Sequence, residues 1–138
     1  MTVQLRVECQ NAKLDAVDTY IGTTGSLRVF TGAQPAAVTD ANSGTLLAHI
    51  DLPNPAFAAA GTGTMAKSGT WQDASADGGA GSTPGHFRIY NSQATMDGTT
   101  CVMQGSCGIG SGDISFNGTI TAAQQVTIST MVLTEGND

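Results

Sequence analysis

The chain has 138 residues, the length of one domain able to bury roughly 68% of its unfolded surface. Its charged fraction of 12% is about half the ~25% of ordinary globular proteins, while its 40% apolar content separates it from disordered chains. With net charge −6 and its five cations, Arg6, Lys13, Arg28, Lys67 and Arg88, scattered along the chain, it lacks the basic cluster that neutralises nucleic-acid phosphates, and no apolar run approaches the ~20 residues of a membrane span.

The opening "MTVQLRVECQ" carries no apolar stretch of signal-peptide length, so assembly in a reducing cytoplasm is the expectation. Residues 10–21 set Leu14, Val17 and Ile21 at helical spacing, and "GTTG" (22–25) stops that helix because glycine takes a left-handed cap. From there the period becomes two. "SLRVFTG" (26–32) is a strand, "AQPAAVTDANSG" (33–44) a loop, and "TLLAHIDL" (45–52) a second strand. "PNPAFAAAG" (53–61) is irregular because Pro53 and Pro55 lack backbone donors, and "TGTMAKSGTW" (62–71) holds two short strands. "QDASADGGAGSTPG" (72–85) reads as an exposed loop. "HFRIYNS" (86–92) and "TTCVMQGSC" (99–107) are strands, with a turn at Asp97-Gly98 between them. In "DISFNGTI" (113–120), Asn117-Gly118 predicts a tight hairpin, and "QQVTISTMVLT" (124–134) reads as the longest strand. Eight or nine short strands divided by Gly and Pro turns predict one all-β domain over 1–138, an antiparallel β-sandwich of jelly-roll type with one short N-terminal helix in segment 1–25.

Two hexamers share a pattern. "LRVFTG" (27–32) and "FRIYNS" (87–92) both read apolar-Arg-branched-aromatic-polar-small. Alternation puts Leu27 and Val29, or Phe87 and Ile89, on a buried face. Arg28 and Phe30, or Arg88 and Tyr90, then fall on an outer face where the Arg stem lies along its aromatic neighbour and the guanidinium stays wet. The final strand departs from this, because "TMVL" is apolar on both sides and calls for a second cover, from a loop or another subunit.

Reactive constellations are scarce. No G-x-S-x-G elbow is present, and "GIGSG" (108–112) has its serine out of place. Cys101 and Cys107, six apart in one strand, stand about 20 Å apart by strand rise, too far to bridge, so with Cys9 they read as free thiols rather than zinc ligands. His49 and His86 read as surface histidines, and Asp73, Asp77, Asp97 and Asp113 lack calcium-loop spacing. The residues therefore predict no catalytic centre, no metal and no cofactor. Trp71, the only tryptophan, and Phe57, on its irregular segment, divide evenly between core and contact anchor.

Taken in order, "IGTTGSLRVFTGAQP", "SGTLLAHIDLPNPAF", "GHFRIYNS", "DGTTCVMQGSCG" and "ISFNGTITAAQQVTISTMVL" resemble a family of small jelly-roll virion proteins that cement, or decorate, the heads of tailed phages. The resemblance runs over nearly the whole chain and rests on strands and turns. It implies a non-enzymatic protein on the capsid exterior whose partner is the major capsid protein, bridging capsomers as a small oligomer, here expected to be a homodimer through an edge strand or the apolar end of the last strand. The contact surfaces expected on that basis are the N-terminal segment, Phe57, Trp71, and the exposed side of Met131 and Leu133. The alternatives are a receptor- or carbohydrate-binding jelly-roll module of a tail or fibre, against which 5% aromatic content weighs, and a small β-barrel enzyme.

Overall fold

The computed structural model of the chain describes residues 3–78 and 81–135. Met1, Thr2, Gly79, Ala80 and the terminal Gly136, Asn137 and Asp138 fall outside them, and with them parts of the expected N-terminal contact segment and of the 72–85 loop.

The fold is mostly β with one N-terminal helix. Helix α1 (Val7–Ile21) begins three residues before the predicted start and ends at Gly22, whose φ of 72° only glycine adopts freely. It buries Gln10, Leu14 and Ile21 and half-buries Val17, which is the predicted face. Its polar side holds the irregular segment beside it. The Asp18 and Asp15 carboxylates accept the Phe57 and Ala60 N–H groups at 2.9 and 2.8 Å, and Asn11 Oδ1 accepts that of Gly63 at 2.9 Å. A proline-interrupted segment cannot satisfy its donors in a ladder, so side chains of the helix do it.

Strands β1 (Ser26–Phe30), β2 (Leu46–Asp51), β5 (His86–Tyr90), β6 (Cys101–Ile109) and β7 (Ile114–Phe116) make a sheet in the order β2-β1-β5-β6-β7. Two small sheets complete the set. In one, β3 (Thr64–Ala66) pairs with β9 (Val132–Thr134); in the other, β4 (Trp71–Asp73) pairs with β8 (Val126–Ile128). The core lies between one face of the large sheet, carrying Leu27, Val29, Phe87 and Ile89, and a wall made by α1, the small sheets and residues 52–60. Gly105 is required here. A Cβ would stand 2.6 Å from the Phe87 ring, which lies over its backbone.

Three expectations are corrected. Asn117-Gly118 closes no hairpin. The chain instead loops back through Gly110 and Gly112, at φ of 67° and 88°, and then resumes its direction, so that β7 runs parallel to the end of β6, Cys107 opposite Ile114 and Ile109 opposite Phe116. The predicted strand 124–134 is two strands. The break between them shifts the phase, so that Val126, Ile128 and Met131 turn inward and Val132 outward. No second cover for that strand is needed to bury Met131. The 72–85 stretch is not an exposed loop throughout. Gln72 and Asp73 belong to β4, Ala76 is buried and exchanges backbone bonds with Ala123 and Gln124, and Ser82 bridges to Ile120.

Candidate functional site

The two hexamers are neighbours. β1 and β5 pair antiparallel with Leu27 opposite Ile89, Arg28 opposite Arg88, and Val29 opposite Phe87. Extending the register across β2 and β6 gives the row His49, Arg28, Arg88, Gln104 on the face away from the core. The next row sets Phe30 beside His86, with ring centroids 5.2 Å apart and stacked.

The outer face of β5 is not wet. His86, Arg88 and Tyr90 are all fully buried, which corrects both the solvated guanidinium and the surface histidine predicted above. The cover is the Thr31–Gly44 loop, which folds back over the sheet. Arg88 Nη1 donates to Asp40 O at 3.1 Å and Asn42 Oδ1 at 2.6 Å, and its Nη2 donates to Val38 O at 2.6 Å. The Tyr90 hydroxyl donates to the same Asn42 Oδ1 at 2.7 Å, while Asn42 Nδ2 donates to Met96 O at 2.8 Å. Gln104 Nε2 donates to Pro35 O at 2.7 Å, and His86 Nδ1 meets Gly32 O at 2.9 Å. The loop is thus held along its length by side chains from two strands. The predicted Arg–aromatic contact does form, with the Arg88 guanidinium 5.9 Å from the Tyr90 ring centre, but it forms inside the protein.

Charge is unusually arranged here. Arg28 and Arg88 face each other, and neither has a carboxylate within ion-pair distance among the described residues, where the ion pairs are Arg6–Glu8, Lys13–Glu135 and His49–Asp51. Burial pushes the Tyr90 phenol up to about 12, against the pull of Arg88, and raises the Cys101 thiol for the same reason. Burial, with Arg88 adding to it, lowers His86 below its usual value despite the Gly32 bond. Arg28 Nε, Arg88 Nε, His86 Nε2 and Gln104 Oε1 are buried with no partner.

No family model, no curated protein and no solved structure matches the chain.

The expected contact residues divide sharply. Phe57 and Trp71 are 1% and 0% exposed and pack edge to face with ring centroids 5.2 Å apart. Trp71 Nε1 donates to Ser68 O at 3.1 Å, so its polar end is also satisfied. Met131 is buried, and Leu133 is half-buried against the core. Phe57, Trp71 and Met131 are therefore core residues of this chain, corrected from contact anchors, because two large rings and a thioether are what a small domain needs to fill its centre. The residue missed is Val132, 58% exposed on β9. Only the phase shift before it could have revealed it.

Few large apolar residues are left on the surface. Among the described residues the exposed large ones are Val3, Val7, Tyr20, Val38, Ile109 and Val132. Val3 and Val7 stand at the start of the chain, Tyr20 on α1 and Val132 on β9, and these elements are linked: α1 packs on β3, β3 pairs with β9, Lys13 of α1 pairs with Glu135, and the Glu135 N–H donates to Gly63 O. Elsewhere His49 Nε2 lies 3.0 Å from Asp51 Oδ1, and the His49 N–H donates to Asp73 Oδ2 at 2.8 Å, at an open polar groove also bordered by Asp77. No three His, Cys, Asp or Glu side chains of the described residues gather as a metal-ligand set, and Cys9, Cys101 and Cys107 are unbridged. No helix of the described residues is long and apolar enough to cross a membrane.

Proposed function

We propose that the protein works by adhesion, as a cement or decoration protein of jelly-roll type on the exterior of a tailed-phage head, bridging subunits of the major capsid protein. The observations that carry this reading are the exposed Tyr20, beside Ala12 and Ala16 on an open face of α1, and the exposed Val132 on β9, whose one ladder neighbour among the described residues is β3. An apolar helix face and an apolar residue at a strand edge both suit a contact with another protein. The resemblance of the quoted strands and turns to the cement proteins points the same way.

The reading places self-association on β9. Among the described residues its one ladder partner is β3, which leaves its far edge for pairing with a second copy, and Val132 lies on that strand. A dimer holding two capsomers makes its second contact effectively intramolecular, so modest interfaces suffice. Co-sedimentation of the purified chain with empty heads of the source phage tests the proposal. Saturable binding that Val132→Asp and Tyr20→Ser weaken supports it. Failure to bind heads, with recognition of glycans on an array, would replace it with the tail-module alternative.

A further inference from the structure

We propose that Arg28 and Arg88 form a binding site for an oxyanion, a carboxylate or a phosphate, on the outer face of the five-stranded sheet. The inference is independent of the adhesive role.

Two of the chain's five cations stand opposite each other on adjacent strands, in a protein whose net charge is −6. Like charges on facing cross-strand positions repel, and burial of one of them sharpens the repulsion. A carboxylate between them would ordinarily offset this, and none is present among the described residues. The nearby carboxylates act on Arg88 only from a distance, Asp97 by charge alone and Asp40 with its carboxylate accepting the Ala37 N–H. Asp51 pairs with His49, and Asp97 accepts both the N–H and the hydroxyl of Thr99. The Tyr90 hydroxyl donates its proton to Asn42 and the Cys101 thiol donates to Met103 O, so neither supplies a negative charge.

The donors left over point to the same place. Arg28 Nε and Arg88 Nε are both buried and without an oxygen or nitrogen acceptor among the described residues, the Arg88 guanidinium having the Cys101 sulfur beside it, and the Arg28 side chain makes no hydrogen bond among them. A buried charged donor left unmade is costly, and charge-assisted bonds to an oxyanion are the strongest way to satisfy it. A water molecule could accept one of these bonds but would bring no charge to offset the two guanidinium groups. Arg88 is fixed in advance, because Val38 O, Asp40 O and Asn42 Oδ1 hold its terminal nitrogens. Arg28 is half-buried and so reaches solvent.

Thermal melts of the full chain in inorganic phosphate, glutarate and sodium chloride at matched ionic strength test this, with Arg28→Gln as the probe and Arg6→Gln as the control. The expected result is a saturable rise in Tm for the wild type and Arg6→Gln with phosphate or glutarate, and binding about tenfold weaker or worse in Arg28→Gln. Response to phosphate alone marks a free or esterified phosphate as the ligand, and response to glutarate marks a carboxylate such as a partner's acidic side chain. An equal response in Arg28→Gln, or a rise that never saturates as excluded salts give, overturns the site. Should Arg28→Gln not fold, the Nε resonances of Arg28 and Arg88 in the wild type decide: both shift on phosphate or glutarate addition, and unmoved resonances overturn the proposal.

Discussion

The core face of the five-stranded sheet is closed by Trp71, Phe57, Ile128 and Met131 lying against Leu27, Val29, Phe87 and Ile89. The opposite face of the sheet is closed by a loop hydrogen-bonded to Arg88, Tyr90 and His86 of β5 and Gln104 of β6. The first closure is non-directional and scales with apolar area. The second is directional, and each carbonyl of the Thr31–Gly44 loop that meets a donor fixes where the loop lies. Both exclude water, so burial alone does not distinguish them. What differs is the penalty for a defect. A missing methylene leaves a void, whereas a missing donor strands buried carbonyls.

Substitution should separate the two closures. Trp71→Ala removes the largest fully buried side chain and its contact with Phe57, and is expected to cost about 3–5 kcal/mol in urea unfolding with the loop's own hydrogen bonds intact. Arg88→Met keeps much of the volume but leaves Val38 O, Asp40 O and Asn42 Oδ1 without that donor. It should cost about 2–4 kcal/mol, with amide exchange accelerated in residues 33–44 before the rest of the sheet. A variant whose loop stayed protected would erase the distinction between the faces.

The alkaline limb of stability probes both faces at once. Burial holds the Tyr90 phenol on the polar face, and the Cys107 thiol at the edge of the core, up to about 12, with Asp113 adding to the second. Their folded values lie above the ordinary 10.0 and 9.0, so the fold favours the protonated forms. The stabilisation is complete below pH 9 and is lost as pH rises from there to about 12, at about 1.4 kcal/mol per pH unit for each group while it titrates. Cys107→Ala should make the loss between pH 9 and the tyrosine range shallower, with Cys101, raised by burial as well, supplying what remains. His86 acts in the opposite direction. Its lowered value means stability is lost as pH falls below 6.5 toward the folded value. The smallest expected effect is Tyr90→Phe, about 1 kcal/mol in the same urea assay, because Arg88 still donates to Asn42 Oδ1.

The sequence revealed one of these faces far better than the other. Alternation placed Leu27, Val29, Phe87 and Ile89 inward, and the helical period placed Leu14 and Ile21, because a buried face leaves a pattern in neighbouring residues. The roof over Arg88 leaves none. Its partners Val38, Asp40 and Asn42 lie 46 to 50 residues away in a stretch that reads as a plain loop, and an arginine in an alternating strand ordinarily faces water. The break before Val132 was hidden for another reason. Thr, Ser, Met, Val and Leu suit either face of a strand, so a slip of one residue changes no local preference. Trp71 and Phe57 were undecided because large rings serve cores and interfaces equally well.

The most direct measurement is the side-chain nitrogen NMR spectrum of the arginines in the intact chain. Enclosure of Arg88 by three acceptors predicts separate, slowly exchanging Nη signals for it, beside averaged, rapidly exchanging ones for exposed Arg6. Arg88 signals as averaged as those of Arg6 would mean that the guanidinium is in water and that the loop does not close the outer face.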